Sequence, residues 1–131
     1  MVAPGGLDFI SKGPIDTLSE EERQKVHYRH SPMFTHVRVN FSEMEEVARV
    51  VAEKLNRGQG PAAVVIPLGG FSDQGRAGGH IADNDADMKF VKTLKNRLNK
   101  DIPIVEVDAH INDESFAHAV CSVLFQLLGE E

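Results

Sequence analysis

Apolar residues recur along the second half of this chain at two different spacings, and the change from one to the other marks out its elements. From about Ser42 to Arg57, Met44, Val47, Ala48, Val51 and Leu55 fall at three- and four-residue steps, which gathers them on one helical face. Ser42 with Glu45 three residues on reads as a capping box, and Gly58 as a stop. Lys54 and Arg57 sit in the last turn, where the helix dipole favours cations. Ala62-Ala63-Val64-Val65-Ile66 then runs apolar without alternation, as expected of a short strand covered on both faces. A second helix is predicted from about Asn84 to Asn99, with Met88, Val91, Leu94 and Leu98 inward and Asp83 or Asn84 as its cap. Ile102-Pro103-Ile104-Val105-Glu106-Val107 reads as a second strand. A third helix, about Asp113 to Leu128, presents Phe116, Val120, Leu124 and Leu127.

The first 41 residues are less regular. Short strands are expected at Leu7–Ile10, Lys25–Tyr28 and Thr35–Val39, separated by Gly13-Pro14, an acidic run after Ser19, and Ser31-Pro32. The fold class that follows is α/β: a Rossmann-like three-layer α/β/α arrangement with a short, mainly parallel sheet. Residues 1–131 form one domain, with 1–41 an irregular part and 42–131 the βαβ core. Two parallel strands make a thin sheet. The expectation is therefore a C-terminal segment of a larger two-domain protein, or a chain whose sheet edge is covered by another subunit in a homo-oligomer.

Between the first parallel strand and its helix lie fifteen residues, Gly69 to Asp83, rich in glycine and without apolar periodicity. Connections of this kind usually take about 2–6 residues, and in open α/β sheets ligands sit where strands exit. The second strand exits into Asp108-Ala109-His110-Ile111-Asn112. Parallel strands bring both exits to one edge, so residues near 70 and 110 are expected to face each other. Gly69 and Gly70 allow close backbone approach and offer N–H donors. Ser72 adds a hydroxyl, and Arg76 a planar cation suited to phosphate or carboxylate. His110 and Asn112 face them, although Asn112 and Asp113 have an equally good role as helix caps.

Composition narrows the partners. With 131 residues, 41% hydrophobic content and a formal net charge of -6, the chain is an ordinary globular domain. It lacks the clustered cations of a nucleic-acid binder. No apolar run approaches the roughly 18 residues of a membrane helix, and no secretory pattern opens the chain. The lone Cys121 fits a reducing, cytoplasmic setting and falls in the apolar stripe of the third helix, which predicts a packed thiol.

Several near-motifs fail on context. Gly58-Gln59-Gly60-Pro61-Ala62-Ala63 precedes a strand, whereas a dinucleotide fingerprint follows one. Gly70 to Ala77 resembles a P-loop but carries Arg76 and Ala77 where Lys and Ser/Thr are required. Asp83, Asp85 and Asp87 mimic an EF-hand start without its glycine or its glutamate, so helix capping is the better reading. His80 with Asp83, and His110 with Asp113, have spacings that a metal tolerates but does not require, and no metal is expected. A Ser72–His110–Asp triad lacks the nucleophile elbow.

Pro4-Gly-Gly-Leu-Asp-Phe9, His30-Ser-Pro32, Thr35 with Arg38, Pro67-Leu-Gly-Gly70 with Ser72, and His110-Ile-Asn-Asp113 followed by Phe116 occur in this order. Together they resemble the C-terminal part of the Tm-one-like ATP-binding family, which groups uncharacterised microbial proteins with a plant tobamovirus-resistance protein. The resemblance implies ATP or a related nucleotide as ligand. It implies Gly5, Gly6, Asp8, His30, Arg38, Gly69, Gly70, Ser72, His110, Asn112 and Asp113 as site positions. The chain departs from the family pattern at His80, where an aromatic residue stands in the family.

Three functions follow as expectations. The first is a nucleotide- or phosphometabolite-binding domain, in which Gly69 and Gly70 cradle an anion and Arg38 or Arg76 balances it. The second is a catalytic domain with His110 as acid/base and Asp8 or Asp113 orienting it. The third is an assembly segment that docks the upstream domain or another subunit.

Overall fold

The computed structural model describes residues 1–129. A small antiparallel sheet opens the chain: β1 (Phe9–Lys12), β2 (His27–Arg29) and β3 (Thr35–Arg38), in the order β1-β3-β2. A short helix, α1 (Glu20–Gln24), connects β1 to β2 and is capped by Ser19 and Glu22 in a reciprocal pair. The core follows as α2 (Phe41–Asn56), β4 (Val64–Pro67), α3 (Asn84–Arg97), β5 (Ile104–Val107) and α4 (Glu114–Leu128).

β4 and β5 run parallel, with Val64 opposite Ile104 and Pro67 opposite Val107. On the other side of β4, Val2 adds a parallel bridge: its N–H donates to the Ala63 carbonyl and its carbonyl accepts from Val65. Alternation along β4 splits the core. Val64 and Ile66 face α2 and α3, among Met44, Ala48, Phe90 and Leu94, while Val65 faces α4 with Ala109 and Phe116. Helices therefore cover both faces of the parallel strands, and the expected α/β class holds. The N-terminal strands, all three anticipated from short apolar segments, form their own antiparallel sheet.

Local chemistry moved some boundaries. α2 starts one residue earlier than its periodicity suggested, because the box is made by Asn40 and Glu43: Asn40 Oδ1 accepts from the Glu43 N–H at 3.0 Å, and Glu43 Oε2 from the Asn40 N–H at 2.8 Å. Ser42 donates to Asn40 instead of capping. α3 buries Ala86, Phe90 and Thr93 besides the expected stripe. Asn56 ties its end to α2, donating to the Arg97 carbonyl and accepting from the Asn99 N–H, both at 2.8 Å. α4 is rotated from its expected face. Phe116, Ala119, Val120 and Val123 pack inward, Leu124 is 38% exposed, and Cys121 is exposed, not packed. The helix stripe was wider than the surface available to receive it.

Among the described residues no helix is long and apolar enough to cross a membrane.

Candidate functional site: two strand exits and an imidazole-lined hollow

The exits of β4 and β5 meet as expected. The Gly69 N–H donates to the Ala109 carbonyl at 2.8 Å, and the Ile111 N–H to the Gly70 carbonyl at 3.1 Å. A Cβ on Gly69 would lie 2.7 Å from backbone atoms of Ala109 and His110, so the approach requires glycine. Gly70, at φ +125°, turns the chain away from the sheet. The N-terminal glycines join them: the Gly6 N–H donates to the Phe71 carbonyl at 2.7 Å, and Gly5 lies against Ile111. Three loops distant in sequence are thus sewn together by backbone hydrogen bonds. One consequence concerns the anticipated anion cradle, since the Gly69 N–H is already spent on Ala109.

Arg38 is also spent. It is 2% exposed, and its guanidinium lies 3.3 Å from Asp8 and 2.5 Å from Asp87, with further bonds to the carbonyls of Val39, Ile81 and Asp83. Asp8 in turn accepts from Ser72 Oγ at 2.7 Å. Asp8, Ser72, Arg38 and Asp87 therefore form one buried network that fastens the small sheet to the long loop and to α3. Breaking such a network by removing one charge leaves its partner buried and costs about 3–5 kcal/mol. Burial pushes the Asp87 carboxyl above the usual carboxylate range, more than the Arg38 hydrogen bond draws it down. Gly75 belongs to this network although nothing in the sequence marked it: a Cβ there would lie 2.1 Å from Asp8 Oδ2.

His110 is buried at the junction, and its partners assign its tautomer. Nε2 lies 2.7 Å from the Ser72 carbonyl, which can only accept, so Nε2 carries the proton. Nδ1 then accepts from the Asn112 N–H and from Arg76 Nη2, both at 3.2 Å. The groups that orient the ring are Arg76, Asn112 and the Ser72 carbonyl. Asp113 Oδ2 instead accepts from the His110 main-chain N–H at 2.8 Å, and Asp8 lies in the Arg38 network. Asp113 is the N-cap position of α4 but makes no side-chain cap bond into the helix.

Arg76 itself is half exposed. It is held by the Asp73 carbonyl and carboxylate at 3.1 Å each and by His110. Asp73, Gln74, Arg76, Ala77, Gly78 and Gly79 line an open hollow of about 290 Å³. A second hollow of about 210 Å³ has walls that include Leu68, Gly69, Gly70, Gly75 and Asp87.

A third hollow, about 360 Å³, lies between the small sheet and the loop from Ser72 to Ile81. Phe9, His36 and His30 form one stacked column, with ring centroids 4.2 and 4.5 Å apart. Tyr28 and His80 form a second stack at 5.2 Å, nearly perpendicular to the first. The Tyr28 hydroxyl lies 3.0 Å from His36 Nδ1. Burial holds the His36 imidazole below its usual value, helped by His30 and opposed by Asp8. Burial, with Asp73 and Asp8, raises the Tyr28 phenol. Of these residues only His30 was a site expectation. The available signal was parity: Tyr28, His36 and Arg38 share the even positions of β2 and β3, which antiparallel pairing of Tyr28 with His36 turns to one face, and His30 follows directly after β2.

His80 and Asp83 do not act as a pair. His80 stacks on Tyr28, while Asp83 caps α3 by accepting from the Ala86 N–H at 3.0 Å. Among the described residues no three His, Cys, Asp or Glu side chains converge as a metal site.

Comparison with known proteins places this geometry. A UPF0261 protein of Clostridium tetani is 38% identical over 98% of the chain, which covers 32% of that relative. A UPF0261 protein of Brucella suis is 29% identical over 99% of the chain, covering 31% of the relative. The ToMV resistance protein Tm-1(GCR237) of Solanum lycopersicum is 26% identical over 97% of the chain, covering 17% of that protein. The chain thus spans about a third of the length of these bacterial relatives, and the resemblance read from its motifs is borne out. Residues 1–128 match the C-terminal domain of the uncharacterised protein family UPF0261, and the chain belongs to that family.

Proposed function

We propose that this domain forms one wall of a binding cleft for a nucleotide or another phosphorylated metabolite. The observation that carries the reading is the convergence of the Gly5-Gly6, Gly69–Ser72 and His110–Asn112 segments around backbone hydrogen bonds. Such a junction at the carboxyl ends of parallel strands is where α/β proteins place ligands. With Arg38 and the Gly69 N–H engaged, the anion is received beside Arg76. Its Nη1 and the N–H groups of Ala77 and Gly78 have no acceptor among the described residues. His110 serves as a positioning residue that holds Arg76 to the loop. The opposite wall comes from the upstream part of the longer protein or from another subunit.

ATP is the first probe, titrated calorimetrically into the full-length protein. Saturable heat is expected, with Kd raised at least about tenfold in Arg76→Ala, a loss typical of a charge-assisted contact. Gly70→Asp, which puts a carboxylate against His110 and Arg76, should abolish binding. A wild-type protein that gives no heat, or three equal affinities, overturns the reading.

A second reading, assembly through α4, is favoured by the exposure of Leu124, Phe125 and Leu128 on one helix beside β5. It concerns a different face and is compatible with the first.

A further inference from the structure

We propose that the outer face of α4 pairs with the same face of a second copy of this chain, antiparallel, about a two-fold axis beside Cys121. The inference rests on the assembly reading of α4 and deepens it by naming the partner and the crossing point.

The make-up of the helix shows that this face is built to be covered. From Ser115 to Leu128, α4 carries no Lys, Arg, Asp or Glu. Its inner side, with Phe116, Ala119, Val120 and Val123, packs against Val65, Val105 and Val107. On its outer side Ala117, Cys121, Leu124, Phe125 and Leu128 are all exposed. The outer sides of α2 and α3 differ: one shows Glu45, Glu46, Glu53 and Lys54, the other Asp85, Lys92, Lys95 and Arg97. Those are surface helices, whereas a helix apolar all round is a buried one. α4 lacks half of its partners.

Spacing identifies the partner. Ala117, Cys121, Leu124 and Leu128 follow one another at steps of four, three and four, the narrow seam by which one helix receives another. Among the described residues the outer face of α4 is itself the helical surface with a matching seam, since those of α2 and α3 are charged. A two-fold contact needs a patch that complements itself. At about 100° per residue, Cys121 stands at the centre of the exposed face around the helix. It is also the middle residue of Glu114–Leu128 along it. An axis at that point sets the two Cys121 side chains together and places small Ala117 against the large Phe125 of the second copy.

Charge fixes the direction. Glu114 is the one carboxylate of α4 and is exposed at its start. A parallel pair would bring two Glu114 side chains together, whereas the antiparallel pair holds them about 21 Å apart. With a formal net charge of -6, two copies repel, and a face without charge is where that repulsion is least.

Oxidation of the full-length protein with diamide, followed by mass spectrometry of linked peptides, tests the crossing point. Two Cys121 thiols give two protons and two electrons to the diamide and become one disulfide. Most chains should be recovered linked through Cys121, and Cys121→Ser should abolish that link. Ala117→Cys in the Cys121→Ser background should stay unlinked. Across the axis the two copies of that position lie about 12 Å apart, beyond the about 4.4–6.8 Å that a disulfide spans. Leu124→Asp should halve the mass seen by light scattering, with an unchanged far-ultraviolet spectrum to verify the fold. A dimeric mass that Leu124→Asp halves, but without the Cys121 link or with one through Ala117→Cys, overturns this proposal and leaves the assembly reading standing. A monomeric wild type whose Cys121 resists a maleimide does the same, giving the face to the upstream part. A wild type whose Cys121 reacts freely, with a mass that Leu124→Asp does not change, sinks both.

Discussion

The two faces of β4 are unequally covered. Toward α2 and α3, Met44, Ala48, Phe90 and Leu94 are each 0% exposed, and an arginine with two carboxylate partners is sealed beside them. Toward α4, Phe116 and Ala109 are buried, but Leu124, Phe125 and Leu128 remain 38%, 48% and 62% exposed. Both flanks come from amphipathic sequences of the same kind. The difference lies in how many surfaces meet each helix. α3 meets α2, the parallel strands and the small sheet, whereas α4 meets little beyond β4 and β5. Apolar periodicity specifies a helix and its inner face; it does not specify how much of that face finds a partner.

This contrast can be broken most sharply at Phe90. Its ring packs edge-on against Phe71 at 5.4 Å on the covered flank, so Phe90→Ala should destabilise the fold by about 3–5 kcal/mol. Urea unfolding with an unchanged slope is the measurement. A loss below about 1 kcal/mol would mean that this flank is not the stabilising core.

A smaller effect sharpens the same contrast through pH. Asp87 is a carboxylate whose pKa is raised by burial on the covered flank. Between the ordinary carboxylate value and that raised one, the folded chain holds a proton that the unfolded chain has released. Stability therefore falls as pH rises through this window. Asp87→Asn should remove that decline, read as unfolding midpoint against pH. An identical slope in both proteins would assign the pH dependence to another group.

The smallest effect is expected on the open flank. Phe125→Ser should change monomer stability by no more than about 0.5 kcal/mol, as for a surface substitution. Light scattering then tests the assembly reading: the substitution should lower the oligomeric mass. An unchanged mass would show that this face is free.

Much of the fold was legible. α2, β4, α3, β5 and α4 lay within a few residues of their periodic patterns, because burying a stripe on a strand leaves an unmistakable spacing. The meeting of residues near 70 and 110 was also legible, since parallel strands must exit on one edge. What misled was local competition. Asn40–Glu43 and Ser42–Glu45 offer the same three-residue offset, and the box formed at Asn40, to which the Ser42 hydroxyl donates instead. Cys121 sat in an apolar stripe that the fold only half used. Of the site residues, Ser72, Arg76, His110 and Asn112 do come together, as do Asp8 and Arg38. The spending of Arg38 on two carboxylates was not legible, because its partners lie 30 and 49 residues away.

The sequence by itself determined the helices, the two parallel strands and the glycine-walled junction at their exits, since each is set by spacing within a short stretch. Tertiary structure alone decided which polar groups remained available. It sealed Arg38, fixed the His110 tautomer, left Arg76 at the surface and assembled Tyr28, His30, His36 and His80 around one hollow. Hydrogen-bond partners and ring stacks are relations between distant residues, and burial decides among them only once the chain has closed.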